Sequence, residues 1–159
     1  MSERDTRPYD EFMRAAIDQA AKAEALGDVP IGAVVAKEDR IIAVAHNRRL
    51  IDADPTAHAE MLAIRAAARA LGDWRLNGCA LVVTLEPCCM CAGAIVLARM
   101  DRLVYGASDP KAGAVRTLYR LCEDERLNHR VQVVAGVLAE RCAAILSGFF
   151  RTQRDMGKK

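Results

Sequence analysis

Leu81-Val82-Val83-Thr84-Leu85-Glu86-Pro87-Cys88-Cys89-Met90-Cys91 joins two kinds of chain in one stretch. Its first five residues are nearly all apolar and β-branched, as in a strand buried on both faces. Met90 to Met100 then reads as a helix. The stretch therefore predicts a buried strand that turns, near Pro87, into a helix start. Cys88 and Cys91 lie in that turn, three residues apart, where two thiolates can reach one metal ion.

His58-Ala59-Glu60 offers an imidazole from elsewhere in the chain. Two thiolates and one imidazole suit Zn²⁺, and three protein ligands leave the fourth tetrahedral position open for water. Zinc lowers the pKa of such a water to about 7 in favourable sites. Residues two apart on a helix point about 200° away from each other. His58 and Glu60 can thus serve one site only at a helix start, with the metal beyond the helix end. Asp54-Pro55-Thr56 reads as that start, with Thr56 as the N-cap. Two helix N-termini would then face the metal and favour thiolate. Glu60, two residues after the imidazole, is the general acid/base that such a water needs. The competing reading is a structural zinc site closed by a fourth ligand from His46, His129, Cys79 or Cys89. Cys89 is the poorest of these, since adjacent residues rarely point at one ion.

The rest of the chain supplies a frame for this stretch. Phe12, Met13, Ala16, Ile17, Ala20 and Ala23 recur at helical spacing between Tyr9 and Leu26, with Gly27 to close the helix. Ala33–Ala36 and Ile41–Ala45 read as an antiparallel hairpin around a polar turn. Helices are expected over Thr56–Leu71, Ala114–Leu121 and Ala139–Arg154, and strands over Arg102–Tyr105 and Val131–Ala135. In the last helix Ile145, Leu146, Phe149 and Phe150 form the inner side. This order predicts an α/β protein, a three-layer α/β/α sandwich with a five-stranded mixed sheet, mostly parallel. Both metal motifs fall at strand-to-helix junctions, where α/β folds place their sites.

Composition narrows the class. The chain has 159 residues, enough for one domain over 1–159 with a real core. No run approaches the ~20 apolar residues of a membrane span, and Met-Ser-Glu-Arg-Asp-Thr-Arg-Pro lacks the apolar core of a signal peptide. A cytoplasmic location is expected, so the six cysteines read as thiols, with Cys79, Cys122 and Cys142 in the core. A net charge of +2 is too small to imply nucleic acid. The basic tail of about residues 152–159, beside Arg151 and including Arg154, Lys158 and Lys159, says more.

His-x-Glu followed by Pro-Cys-x-x-Cys is the signature of zinc nucleobase deaminases. Further motifs sharpen the likeness: Val29–Ala33, Asn47, Asp54–Glu60, Thr84–Ala94, Asp109–Gly113, Asn128-His129 and Phe149–Arg151. In order and over nearly the whole chain, the series resembles the bacterial tRNA-specific adenosine deaminases, of the cytidine deaminase-like fold. The resemblance implies hydrolysis of adenosine to inosine at the wobble position of an arginine tRNA anticodon, one zinc per subunit and a homodimer. By matching position it also implies that Asn47 hydrogen-bonds the flipped-out base. Asp109 and Lys111 would contact neighbouring nucleotides, and Phe149, Phe150 and Arg151 would pack the anticodon loop. Plainer readings stand beside these: Asn47 capping the turn of Arg48 and Arg49, a Pro-anchored turn at Asp109, and core aromatics. Two segments depart from the family pattern, Ala114–Thr117 and the acidic Cys122–Glu125. A free-base or nucleoside deaminase acting on guanine, cytosine or cytidine is the nearest alternative. A non-catalytic, zinc-stabilised RNA-binding module is the other.

Overall fold

The computed structural model describes residues 7–158; the opening residues and Lys159, discussed above for apolar content and charge, lie outside it. The helices are α1 (Asp10–Ala25), α2 (Ala59–Leu71), α3 (Cys89–Leu97) and α4 (Ala139–Asp155). The strands are β1 (Gly32–Lys37), β2 (Arg40–His46), β3 (Cys79–Leu85), β4 (Arg102–Ala107) and β5 (Gln132–Ala135). Their order in the sheet is β2-β1-β3-β4-β5. β1 pairs antiparallel with both β2 and β3, whereas β3–β4 and β4–β5 are parallel. The sheet is therefore mixed in equal parts rather than mostly parallel. The short turn after β1 forces the hairpin, and only the longer connections allow parallel return.

Alternation along the strands sorts the core into two layers. Ala33, Val35, Leu81, Val83, Leu103 and Val133 face α2 and α3, through Ala63, Ala67, Ala92 and Ile95. Val34, Val82, Val104 and Val134 face α1 and α4, through Met13, Ala16, Ile17 and Cys142. This is the expected three-layer α/β/α sandwich. Its tightest contact is between α1 and β1 at Gly32, where a Cβ would lie 1.9 Å from the Ala16 carbonyl oxygen. Only glycine fits there.

Two elements differ from the sequence reading. Ala114–Leu121 is a series of turns, with a single 3₁₀ turn at Leu121–Glu123. The N–H groups of Val115, Arg116 and Thr117 donate to Glu86 Oε2 at 3.1, 2.9 and 3.0 Å. Those of Leu118 and Leu121 return to the carbonyls of Gly113 (2.8 Å) and Ala114 (3.1 Å), five and seven residues back where a helix reaches four. α2 starts at Ala59, not near Thr56. Thr56 is drawn away by Asp54, whose Oδ1 accepts both its N–H (2.8 Å) and its hydroxyl (2.7 Å). An Asx turn has replaced the predicted cap. Cys79, Cys122 and Cys142 are buried thiols, as expected.

Candidate active site

His58 and Cys88 are the N-cap residues of α2 and α3, both with extended backbones (ψ 148° and 178°), and neither caps its helix through its side chain. Each side chain is therefore free to turn past the helix end. Cys91, one turn into α3, completes the group. His58 Nδ1 lies 3.6 Å from Cys88 Sγ and 3.5 Å from Cys91 Sγ. A tetrahedral zinc, with Zn–S of about 2.3 Å and Zn–N of about 2.0–2.1 Å, holds nitrogen and sulfur about 3.5–3.6 Å apart. The donors thus fit the ion in kind and in spacing. Among the described residues this is the one group of three or more His, Cys, Asp and Glu side chains close enough to hold a metal. His46, His129, Cys79 and Cys89 are not part of it.

Electrostatics at the group favour a cation. The hydrogen bond from Cys91, aided by that from His58, outweighs burial and holds the Cys88 thiol near pKa 3. Cys91 is pushed up because the same proton stays with it, and burial adds to the rise. His58 is raised by its hydrogen bond to Cys88. Cys88 therefore carries the thiolate character of the pair, while Cys91 keeps its proton. Glu60, in the first turn of α2, is buried, and that burial pushes its carboxyl above the usual range. A carboxyl so placed beside the His/Cys/Cys group is a candidate for proton transfer.

His58, Glu60 and Cys88 open onto a cavity of about 210 Å³. Asn47, Asp109 and Phe150 share its lining, with Val29, Ile31 and Leu85 as apolar walls. Asn47 is 4 % exposed and does not cap the Arg48–Arg49 turn. Its Nδ2 donates to Asp28 Oδ1 (3.0 Å) and to the Val29 carbonyl (3.3 Å). Asp109 Oδ1 accepts from the N–H groups of Lys111 (2.9 Å) and Ala112 (3.2 Å), which fixes the loop. Lys111 is outside the cavity and lines an adjoining groove with Pro110, Leu146 and Phe150. Phe150, 46 % exposed, lines both spaces. It stands against the buried Phe149 edge to face, centroids 5.4 Å apart. Of the two aromatics one is core, and the Phe150 ring is not on the inner side expected of it.

Two buried carboxylates emerge that the sequence reading did not single out. Glu86 accepts the N–H of Asp109 (3.2 Å) and the hydroxyl of Thr117, besides the three N–H groups given above. Burial alone would raise its pKa, but these donors hold it below the usual range. Gly113 packs so closely that a Cβ would lie 2.5 Å from the carboxylate. Asp28 does similar work under residues 47–51. The available signals were slight: one acid ends an apolar strand, the other follows a helix-closing glycine. The acidic Cys122–Glu125 segment is balanced by arginines, Glu123 pairing with Arg116 and Arg120 and Asp124 with Arg126.

Fold and residue set together define a cytidine deaminase-like enzyme. The family model described as MafB19-like deaminase matches residues 8–154, and the chain belongs to this deaminase family, alongside the tRNA-specific adenosine deaminases. The tRNA-specific adenosine deaminase of Bacillus subtilis (strain 168) is 54 % identical over 147 residues, covering 92 % of this chain and 91 % of that protein. A structure from biochemical and structural studies of A-to-I editing by tRNA:A34 deaminases at the wobble position superposes with a TM-score of 0.82. It is 46 % identical and covers 86 % of this chain and 99 % of its own. Guanine deaminase from Bacillus subtilis is more distant, at TM-score 0.60 and 38 % identity, covering 68 % of this chain and 66 % of that one.

Proposed function

We propose that this enzyme hydrolyses the wobble adenosine of a tRNA anticodon, in tRNA-Arg, to inosine and ammonia. The observation that carries the reading is the meeting of a His/Cys/Cys donor set, a buried carboxyl and a base-sized cavity at two helix starts. Likeness to tRNA-specific adenosine deaminases at 54 % identity supports tRNA over a free base. The alternative of a free-base or nucleoside deaminase is not favoured, since the likeness to guanine deaminase is the weaker one.

His58, Cys88 and Cys91 would hold one Zn²⁺ per subunit. Bound there, zinc supplies the Lewis acidity that makes water a nucleophile at neutral pH. Glu60 takes the proton from water, delivers it to the ring nitrogen beside the reacting carbon, and then assists the amine to leave as ammonia. Asn47 hydrogen-bonds the base, and Val29, Ile31 and Leu85 exclude water around it. Asp109, Lys111 and Phe150 meet the nucleotides on either side. Flipping a base out of a single-stranded loop costs little, which suits an anticodon stem-loop as substrate.

The partner set we propose is tRNA and a second copy of the chain, in a single-domain cytoplasmic enzyme. α3 supports the dimer: it is almost wholly apolar, yet only Cys91, Ala92, Ile95 and Val96 are buried, and Leu97 is 68 % exposed. No helix among the described residues is long and apolar enough to cross a membrane.

Ammonia release from zinc-loaded protein tests the function. A stem-loop with adenosine at the wobble position is compared with free adenosine, cytidine and guanine. Inosine formed only in the stem-loop is the expected result. Turnover of a free base with the stem-loop untouched would overturn the substrate while keeping the chemistry.

A further inference from the structure

At the end of α1, Gly27 takes φ 83°, and the N–H groups of Gly27 and Asp28 return to the carbonyls of Glu24 and Ala23 at 2.9 Å each. This Schellman closure fixes where Asp28 leaves the helix. Asp28 is fully buried and accepts four N–H groups. Oδ1 takes Val29 N (2.9 Å) and Asn47 Nδ2 (3.0 Å). Oδ2 takes Leu50 N (2.8 Å) and Ile51 N (3.1 Å). Asp28 is not among the residues that line the cavity. Asn47 is.

The other N–H of Asn47 goes to the Val29 carbonyl at 3.3 Å. Both neighbours of Nδ2 are acceptors without a proton to give, so the nitrogen belongs on that side and the amide cannot be turned over. Asn47 Oδ1 is consequently left buried, with no hydrogen-bond partner among the described residues. Buried amide oxygens are nearly always paired. The amide is thus held through Nδ2, from the side of Asp28 and Val29.

We infer that Asp28 is a positioning residue that acts through Asn47. It holds the amide of a cavity-wall residue in one orientation, and so fixes how Asn47 meets a bound base. The identity of the ligand rests on the deaminase reading above; the locking of the amide does not.

The test is a double-mutant cycle on the zinc-loaded full chain with the adenosine stem-loop. Asp28→Asn leaves one oxygen for four N–H donors and so loosens the hold on Asn47, and should lower kcat/KM by about tenfold. In an Asn47→Ala background the same change should cost less than about twofold, because the group it acts through is gone. Equal losses in both backgrounds would mean that Asp28 only braces Leu50 and Ile51, and the inference fails. Isotope-edited NMR gives a readout free of activity. The Asn47 side-chain NH₂ signal, identified by its loss in Asn47→Ala, should exchange slowly with water in the wild type and fast in Asp28→Asn. Equal exchange in the two overturns the lock, even if no substrate is turned over. Slow exchange that Asp28→Asn abolishes, with an inactive wild type, would instead count against the deaminase reading. If Asp28→Asn does not fold by circular dichroism, Asp28→Glu takes its place in both experiments. It keeps the acceptors but displaces them by a methylene, so a smaller loss, again confined to the Asn47 background, is expected.

Discussion

Glu60 and Glu86 are both buried carboxyls, and their surroundings send them opposite ways. Glu60 has little to offset its burial and is raised, whereas Glu86 is surrounded by N–H donors and is lowered. The first suits proton transfer and the second suits permanent charge. Glu60→Gln should keep its metal by elemental analysis and lose about 10²–10⁴ in kcat. Cys88→Ala should lose the metal itself, and full occupancy in that variant would remove it from the ligand set. Glu86→Gln should destabilise by about 1.5–3 kcal/mol, read from the urea midpoint, since an amide NH₂ would face donors that now meet a carboxylate. At this scale the meeting of His58, Cys88 and Cys91 was legible, because donor chemistry and spacing are local properties. The parts of Asp28 and Glu86 were not. Apart from the adjacent Val29, their partners lie 19–23 and 23–31 residues away, and nothing in the residue type announces them.

Elements were legible wherever local preference and tertiary demand agree. The Leu81–Leu85 run became β3 because a central strand wants apolar, β-branched residues. Ala114–Leu121 shows the opposite case: its composition allows a helix, but Glu86 fastens its first N–H groups beside the end of β3, and the N–H groups of Leu118 and Leu121 then reach carbonyls five and seven residues back. Thr56 fails as a cap for a similar reason, with Asp54 two residues away as the stronger acceptor. Helix α2 then begins at the residue that also supplies the imidazole. Gly32 is the position where two elements meet most closely. Gly32→Ala should cost about 1–3 kcal/mol and lower Tm accordingly, since a Cβ meets backbone atoms of α1 rather than a side chain that could move. A Tm unchanged by that substitution would mean that α1 can shift outward at little cost.

Over the whole molecule the net charge is only +2, so phosphate recognition has to come from local clusters. α4 carries Phe150 at the cavity, followed by the exposed Arg151 and Arg154. If both arginines meet phosphates of the stem-loop, replacing them with Ala should weaken binding and flatten the plot of log K against log salt by about 1.4. An unchanged slope would place the tail in solvent. The cavity itself has a further consequence. Its walls come from α1–β1, β2–α2, β3–α3, the loop after β4 and α4, so they span Val29 to Phe150. No single segment can fold into a working part of it, and buried carboxylates tie two of its walls to the core. Activity lost in urea should therefore follow the same curve as the far-ultraviolet signal of the backbone, in one cooperative step. An inactive species that keeps its helices in urea would break that expectation.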